Sequence, residues 1–340
     1  MQHDPLTHDE LRLALSYIPA DDRETWINIG NALKTEYGDE GFPAWDKWSQ
    51  GGQSYNAADA KSVWRSLSPG HVSMGTVIKL ATDAGWTRAK HELSAEDRCR
   101  LKAEAEERRR RLAEQVEADQ AKLARMQAAV ADACEKVLAL HLTDQGSSSY
   151  LDRKGVGAYG VLFPKRSVLI SIDAQRERAD VWVGSEVRDW FAQLPTPRPD
   201  HLHMFHLKTG SVVLPLRDYQ GKLWAFQSIL PNGTKLFPRF GRKAGCCHII
   251  PGSREVIGIA EGYATGASVH EAMGWTVAVA LDVGNMTRVV PQVQQCWPDA
   301  RLVICGDDDP ETEGNPGRAK SEALATEHGC LPAFADLEAS

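Results

Sequence analysis

The chain has 340 residues, 42% of them hydrophobic and 25% charged, which excludes a wholly disordered, collagen-like or disulfide-stapled polypeptide and leaves room for about two domains. The net charge of -7 hides an uneven distribution: residues 146–250 carry 15 basic and 8 acidic groups, whereas 251–340 carry 5 and 14. A polyanion is expected to use the first segment and a divalent metal the second, which the overall balance would not reveal.

In chain order, Leu11, Leu15 and Ile18, then Trp26, Ile29 and Leu33, recur at helical spacing. Asn56 or Asp59 is a plausible cap for a helix through Trp64, and Met74, Val77, Ile78 and Leu80 supply a last apolar helix stopped by Gly85. Residues 1–90 therefore read as a small all-α domain. Its tryptophans could stack bases, but at helical spacing they are expected to be core.

Residues 94–142 contain no Gly or Pro and are rich in strong helix formers. Val116, Leu123, Val130 and Val137 recur every seven residues, with Leu112, Met126, Ala133 and Leu140 as the second heptad position. One long charged helix over 91–145 is expected, opened by Ser94 and Asp97 as a capping pair and able to dock either on its own chain or on a partner helix. The four arginines Arg108 to Arg111 stand beside glutamates and read as a solvated face.

Beyond the flexible run 145–149, apolar runs at 211–216 and 223–229 flank an Asp-Tyr-Gln-Gly turn, and Pro231-Asn232-Gly233 turns the chain again before Lys235. This is an antiparallel meander, the body of a basic segment spanning 146–250. Lys154, Arg217, Lys235, Arg242 and Lys243 are its candidate contacts to DNA or nucleotide phosphate.

The last segment, 251–340, alternates strand and helix: strands at 256–260, 276–281 and 302–305, and helices at 263–272, 286–297 and 316–328. Such alternation builds a parallel sheet with helices on its faces, and ligands gather at the carboxyl ends of its strands. Glu261 follows the first strand there, while Asp307, Asp308 and Asp309 follow the third. Residues two apart in an extended segment share a side, so Asp307 and Asp309 can face one cation. Glu261, Asp307 and Asp309 are thus the candidate catalytic and metal-binding residues, suited to Mg²⁺ or Mn²⁺.

Ile259-Ala260-Glu261-Gly262-Tyr263, Leu281-Asp282-Val283-Gly284-Asn285 and Cys305-Gly306-Asp307-Asp308-Asp309 resemble the Toprim domain of phage and plasmid primases. Residues 150–157, with Leu214-Pro215-Leu216-Arg217-Asp218 and Gly233-Thr234-Lys235, resemble the segment preceding Toprim in those primases. Residues 11–86, with Trp45-Asp46-Lys47-Trp48-Ser49 and Trp64-Arg65-Ser66, resemble the PriCT-2 module of mobile-element replication proteins.

The resemblance implies an α/β Toprim domain, a Rossmann-like βαβαβ parallel sheet, preceded by the β-rich segment, the long helix and the helical module. It implies an Mg²⁺-dependent DNA primase, a nucleotidyltransferase joining NTPs into short RNA primers on a single-stranded DNA template. A Toprim nuclease, and a non-catalytic factor that binds single strands or recruits a helicase, are the alternatives. The seven cysteines form no CxxC pair, so no zinc is expected. No G-x-x-x-x-G-K-[ST] loop occurs, so a replicative helicase would act in trans. No run reaches the ~18 apolar residues that span a bilayer, and a cytoplasmic protein without a membrane partner is expected.

Overall fold

The computed structural model describes residues 5–67, 70, 72–88, 94–306 and 316–334. It divides into two compact units, residues 1–120 and 121–340, so compactness breaks within the long helix rather than at the expected boundaries near 90 and 145.

The first unit contains α1 (His8–Ser16), α2 (Arg23–Tyr37), α3 (Phe42–Ser49), α4 (Ala57–Ser66) and α5 (Met74–Asp83), with a short 3₁₀ turn at Gly38–Gly41. Local chemistry starts these helices: Thr7 and Glu10 form a capping box on α1, Asp22 caps α2 and Asn56 caps α4. The tryptophans are core. Trp45 is fully buried, its ring centroid 4.5 Å from Trp26 and 5.3 Å from Trp64. Their indole N–H groups donate inward, Trp26 to Ser49, Trp45 to the Trp26 carbonyl, Trp48 to the Ile18 carbonyl and Trp64 to Asp39. Arg88 closes the module by pairing with Glu10 at 2.8 Å, and that contact holds the Glu10 carboxyl below its usual range.

Helix α6 (Ala95–His141) begins as expected, with the Asp97 N–H donating to Ser94 Oγ at 3.0 Å. Arg109 pairs with Glu36 at 2.9 Å, Arg108 lies over the Tyr37 ring, and Arg110 and Arg111 pair with Glu107. All four arginines are therefore engaged in side-chain contacts. The heptad pattern is used only in part. Val116 and Leu123 are more than 40% exposed, whereas Met126, Val130, Ala133, Cys134 and Val137 are buried in the core of the second unit. The carboxyl-terminal part of α6 thus docks on its own chain, as a core element of the second unit.

In the second unit, β1 (Leu142–Thr143) pairs with β2 (Phe163–Pro164), with α7 (Ser149–Lys154) between them. Strands β3 (Val168–Asp173), β4 (Arg178–Val183) and β5 (Leu202–Leu207) form an antiparallel sheet in the order β4-β3-β5. One of its faces packs on α6 through Val168, Ile170, Ile172, Phe205 and Leu207. Helix α8 (Ser185–Ala192) follows β4. The expected meander is β6 (Val212–Arg217), β7 (Leu223–Ile229) and β8 (Lys235–Leu236).

The last sheet contains β9 (His248–Ile250), β10 (Ser253–Ala260), β11 (Trp275–Val279), β12 (Arg301–Gly306) and β13 (Leu331–Phe334), with α9 (Tyr263–Met273), α10 (Val283–Cys296) and α11 (Pro316–His328) as connections. Its order is β13-β12-β10-β11-β9, parallel except for β9. β9 precedes residue 251, so the sheet draws a strand from before the expected boundary. The core is continuous across that point too: Val212, Leu214 and Ile229 of the meander share one apolar cluster with Ala260, Tyr263 and Val279. All seven cysteines are free thiols, and among the described residues no helix is long and apolar enough to cross a membrane.

Candidate active site at the carboxyl edge of the parallel sheet

The chain leaves β10 through α9 to β11 on one side, then crosses by α10 to β12 on the other. The carboxyl ends of β10 and β12 therefore form the topological switch point where open α/β sheets bind ligands. Register makes this concrete. Ala260 lies opposite Cys305 on β12 and Val279 on β11, so Glu261 emerges beside Gly306.

Gly306 has to be glycine, because a Cβ there would come within 2.5 Å of Ser321 Oγ and 2.7 Å of the Phe334 ring. The backbone thereby approaches α11 closely just before the Asp-Asp-Asp run. Asp307 and Asp309 themselves lie outside the described residues. Among the described residues no cluster of three metal-capable side chains occurs. The donor chemistry of Glu261 with the two aspartates, all carboxylate oxygens, nonetheless fits a hard divalent cation.

The basic candidates distribute unequally. Lys235 is the one the fold brings to the Glu-Gly turn: its Nζ lies 3.6 Å from the point where a Gly262 side chain would begin. Helix α7, which carries Lys154 as an exposed residue, is tied to the same region by Tyr150 and Leu151, which share an apolar cluster with Ala260, Tyr263 and Ala264. Lys243 is paired with Asp282. Arg242 lies over the Trp224 ring at 4.4 Å, as does Lys222 at 4.1 Å, and the Trp224 indole donates to Asp218 at 2.7 Å. Arg217 is not brought to the edge. It donates to the Gly221 carbonyl of its own turn at 2.8 Å and lines a crevice with Cys296 and Trp297, at the end of α10 remote from Asp282.

Two residues of this edge received no role from the sequence. Asp282 caps α10 by accepting from the Asn285 N–H, and Leu281 before it holds a left-handed φ of 75°, a conformation costly for a branched side chain. Asn285 is buried and satisfies its whole amide: Nδ2 donates to the Cys246 and Ala280 carbonyls, and Oδ1 accepts from the Gly245 N–H. Together with the Lys243–Asp282 pair, it fixes the basic loop 239–246 over the carboxyl end of β11. An Asp directly before a helical run is a cap signal, obscured because the sequence suggested a later start for α10.

Comparisons with known proteins agree with this architecture. The PriCT-2 (Primase C terminal 2) family matches residues 11–81 and the Toprim domain family matches residues 256–329. Two curated Escherichia coli proteins, each a DNA primase TraC, are similar: one is 40% identical over 137 residues, 37% of this chain, and the other 30% identical over 272 residues, 76% of it. The chain spans only 13% and 16% of those proteins' lengths. Solved structures with partial likeness include the DnaG primase catalytic domain bound to ssDNA, at 13% identity and TM-score 0.32 over 64% of this chain and 74% of that one. The RNA polymerase domain of Mycobacterium tuberculosis primase DnaG aligns at 14% identity and TM-score 0.35 over 63% and 76%. The chain thus carries a PriCT-2 domain and a carboxyl-terminal α/β Toprim domain, and it is homologous over most of its length to DNA primase TraC.

Proposed function

We propose that this chain, with its Toprim domain and its homology to DNA primase TraC, acts as a DNA primase of a phage, plasmid or integrated element, extending ribonucleotides on single-stranded DNA. The observation that carries the reading is the ammonium of Lys235 beside the Glu261–Gly262 turn at the switch point, a cation set next to the carboxylate edge where a triphosphate would be handled.

In this reading Glu261, Asp307 and Asp309 hold Mg²⁺, which supplies charge neutralisation of the transferring phosphoryl group. As the alternative to holding the metal, Glu261 assists proton transfer from the attacking 3′-hydroxyl. Lys235 neutralises a triphosphate oxygen, and Lys154, Arg242 and the loop fixed by Asn285 line the path of the template. Arg217 has a turn-stabilising role instead. The NTP substrates, the helicase acting in trans and a cytoplasmic setting belong to the same proposal.

The test is primer synthesis on varied single-stranded templates with labelled NTPs and Mg²⁺ or Mn²⁺. Template- and NTP-dependent new chains are expected, lost in Glu261→Gln at an unchanged melting temperature. Shortening of the DNA without NTPs would identify a nuclease, and binding without either activity a non-catalytic factor.

A further inference from the structure

The face of the β3–β4–β5 sheet that points away from α6 is polar where a covered face would be apolar. Antiparallel register puts Trp182 opposite Leu169, Asp180 opposite Ser171 and Arg178 opposite Asp173, and residues so paired share a face. Helix α8 covers the Leu169 end. Towards Asp173, Trp190 and the chain after it arch over the sheet and leave a cavity of about 350 Å³, lined among others by Trp182, Arg178 and His201.

Its carboxylates are already engaged. Asp173 accepts from the Gln175 and Arg176 N–H groups at 2.9 and 3.0 Å, and Asp180 pairs with Arg178 at 3.0 Å. The Trp182 indole donates to Ser171 at 2.9 Å, which fixes its ring plane. What the cavity offers a ligand is therefore aromatic surface, together with the remaining guanidinium donors of Arg176 and Arg178, which pair through Nε with Asp173 at 3.7 Å and Asp180 at 3.0 Å and whose side chains are 69% and 55% exposed. Stacking surface edged by guanidinium groups fits a flat base on a phosphodiester chain better than it fits a metal cation.

The basic loop meets the opposite face of this sheet: from His201 the chain enters β5, where the His203 ring, turned towards α6, meets Phe240 at 5.5 Å. Phe240 stands between Arg239 and Arg242 in the loop whose Lys243 pairs with Asp282.

We propose that this cavity takes one unpaired base of single-stranded DNA, stacked on Trp190 with Trp182 behind it and the flanking phosphates on Arg176 and Arg178. The proposal rests on the primase reading for its ligand and adds to it a template subsite away from the catalytic edge.

The experiment measures binding of fluorescein-labelled mixed-sequence single-stranded DNA to the full chain by anisotropy across a salt series. Trp190→Ala is expected to weaken binding about tenfold, Trp190→Phe to stay near wild type, and the Arg176→Ala/Arg178→Ala double variant to lower the salt slope by roughly 1.4. A walk of single abasic sites along the oligonucleotide should find a position that costs wild type about the same tenfold and costs Trp190→Ala nothing further. If Trp190→Ala loses its cooperative melt, the salt slope of the arginine double variant carries the comparison. Wild-type affinity and salt slope in all three variants would overturn the subsite and leave the primase reading intact, since that reading depends on loss of synthesis in Glu261→Gln. An abasic penalty that is equal in wild type and Trp190→Ala would place the base elsewhere and also overturn it.

Discussion

Asn285 on α10 donates to the Cys246 carbonyl at 2.9 Å, so a buried amide at the mouth of the parallel sheet holds a loop from the preceding segment. Asn285→Ala would leave the Gly245 N–H and the Cys246 and Ala280 carbonyls without this partner. A loss of about 2–4 kcal/mol is expected, because stranded buried polar groups cost more than a net hydrogen bond contributes. Urea denaturation reads it directly. A loss below about 0.5 kcal/mol would show that water replaces the amide and that the loop is not fixed in this way.

Strong local signals made part of this fold legible. The caps of the helical module and the strand–helix alternation of the last segment both appear in the sequence, because each rests on neighbouring residues. The β3–β4–β5 sheet does not announce itself. β3 is buried at every position, so it lacks the alternation that marks a half-buried strand, and its cover comes from α6, distant in sequence. Strand β5 does alternate, with His203, Phe205 and Leu207 facing α6. Its histidines disguised that pattern. At the carboxyl edge, the position of Glu261 was legible because a Glu-Gly pair directly follows a buried strand, and the contacts of Asn285 were not, because two of its partners come from another segment.

The docking of α6 predicts where the second unit can be cut. Residues 146–340 would lack Met126, Val130, Cys134 and Val137, and would expose the faces of Val168, Ile170, Phe205 and Leu207 that they cover. Each such side chain contributes about 1.5–3 kcal/mol when buried, against a net stability of roughly 5–15 kcal/mol for a domain. Expressed alone, 146–340 should aggregate, whereas 121–340 should be soluble with one cooperative thermal transition. Equal solubility and melting temperature of the two fragments would mean that α6 contributes nothing to this core.

Two glycines at the carboxyl edge should respond oppositely to alanine. A Cβ on Gly262 meets Lys235 Nζ at 3.6 Å and Thr265 Oγ1 at 4.0 Å, ordinary contact distances, and its φ is -111°. Gly262→Ala should therefore keep or slightly raise stability, by up to about 1 kcal/mol. Gly306→Ala drives a methyl into Ser321 and Phe334, and overpacking of this kind costs about 1–3 kcal/mol. Thermal melts of the two variants, side by side, check the contrast. Equal melting temperatures would show that α11 yields freely at Gly306.

Acid should weaken the fold before the carboxylates protonate, because of His248. This residue is 3% exposed, with Nε2 at 2.9 Å from the Tyr159 carbonyl oxygen and Nδ1 at 3.4 Å from that of Pro215. Burial lowers its pKa below 6.5 despite those two carbonyls, and burial lowers His203 and His206 in the same direction. Above pH 6.5 folded and unfolded chains are both neutral at these positions, and no pH dependence arises from them. As pH falls through 6.5 the unfolded chain binds protons that the folded chain does not, so stability drops, with a limiting slope of about 1.4 kcal/mol per pH unit for His248 alone. His248→Gln cannot titrate. It should be less stable at pH 7.5 by about 1–3 kcal/mol, yet lose less between pH 6.5 and 5 than wild type does. Urea unfolding at half-unit pH steps compares the two slopes, and parallel slopes would mean that His248 takes up its proton equally well in the folded chain.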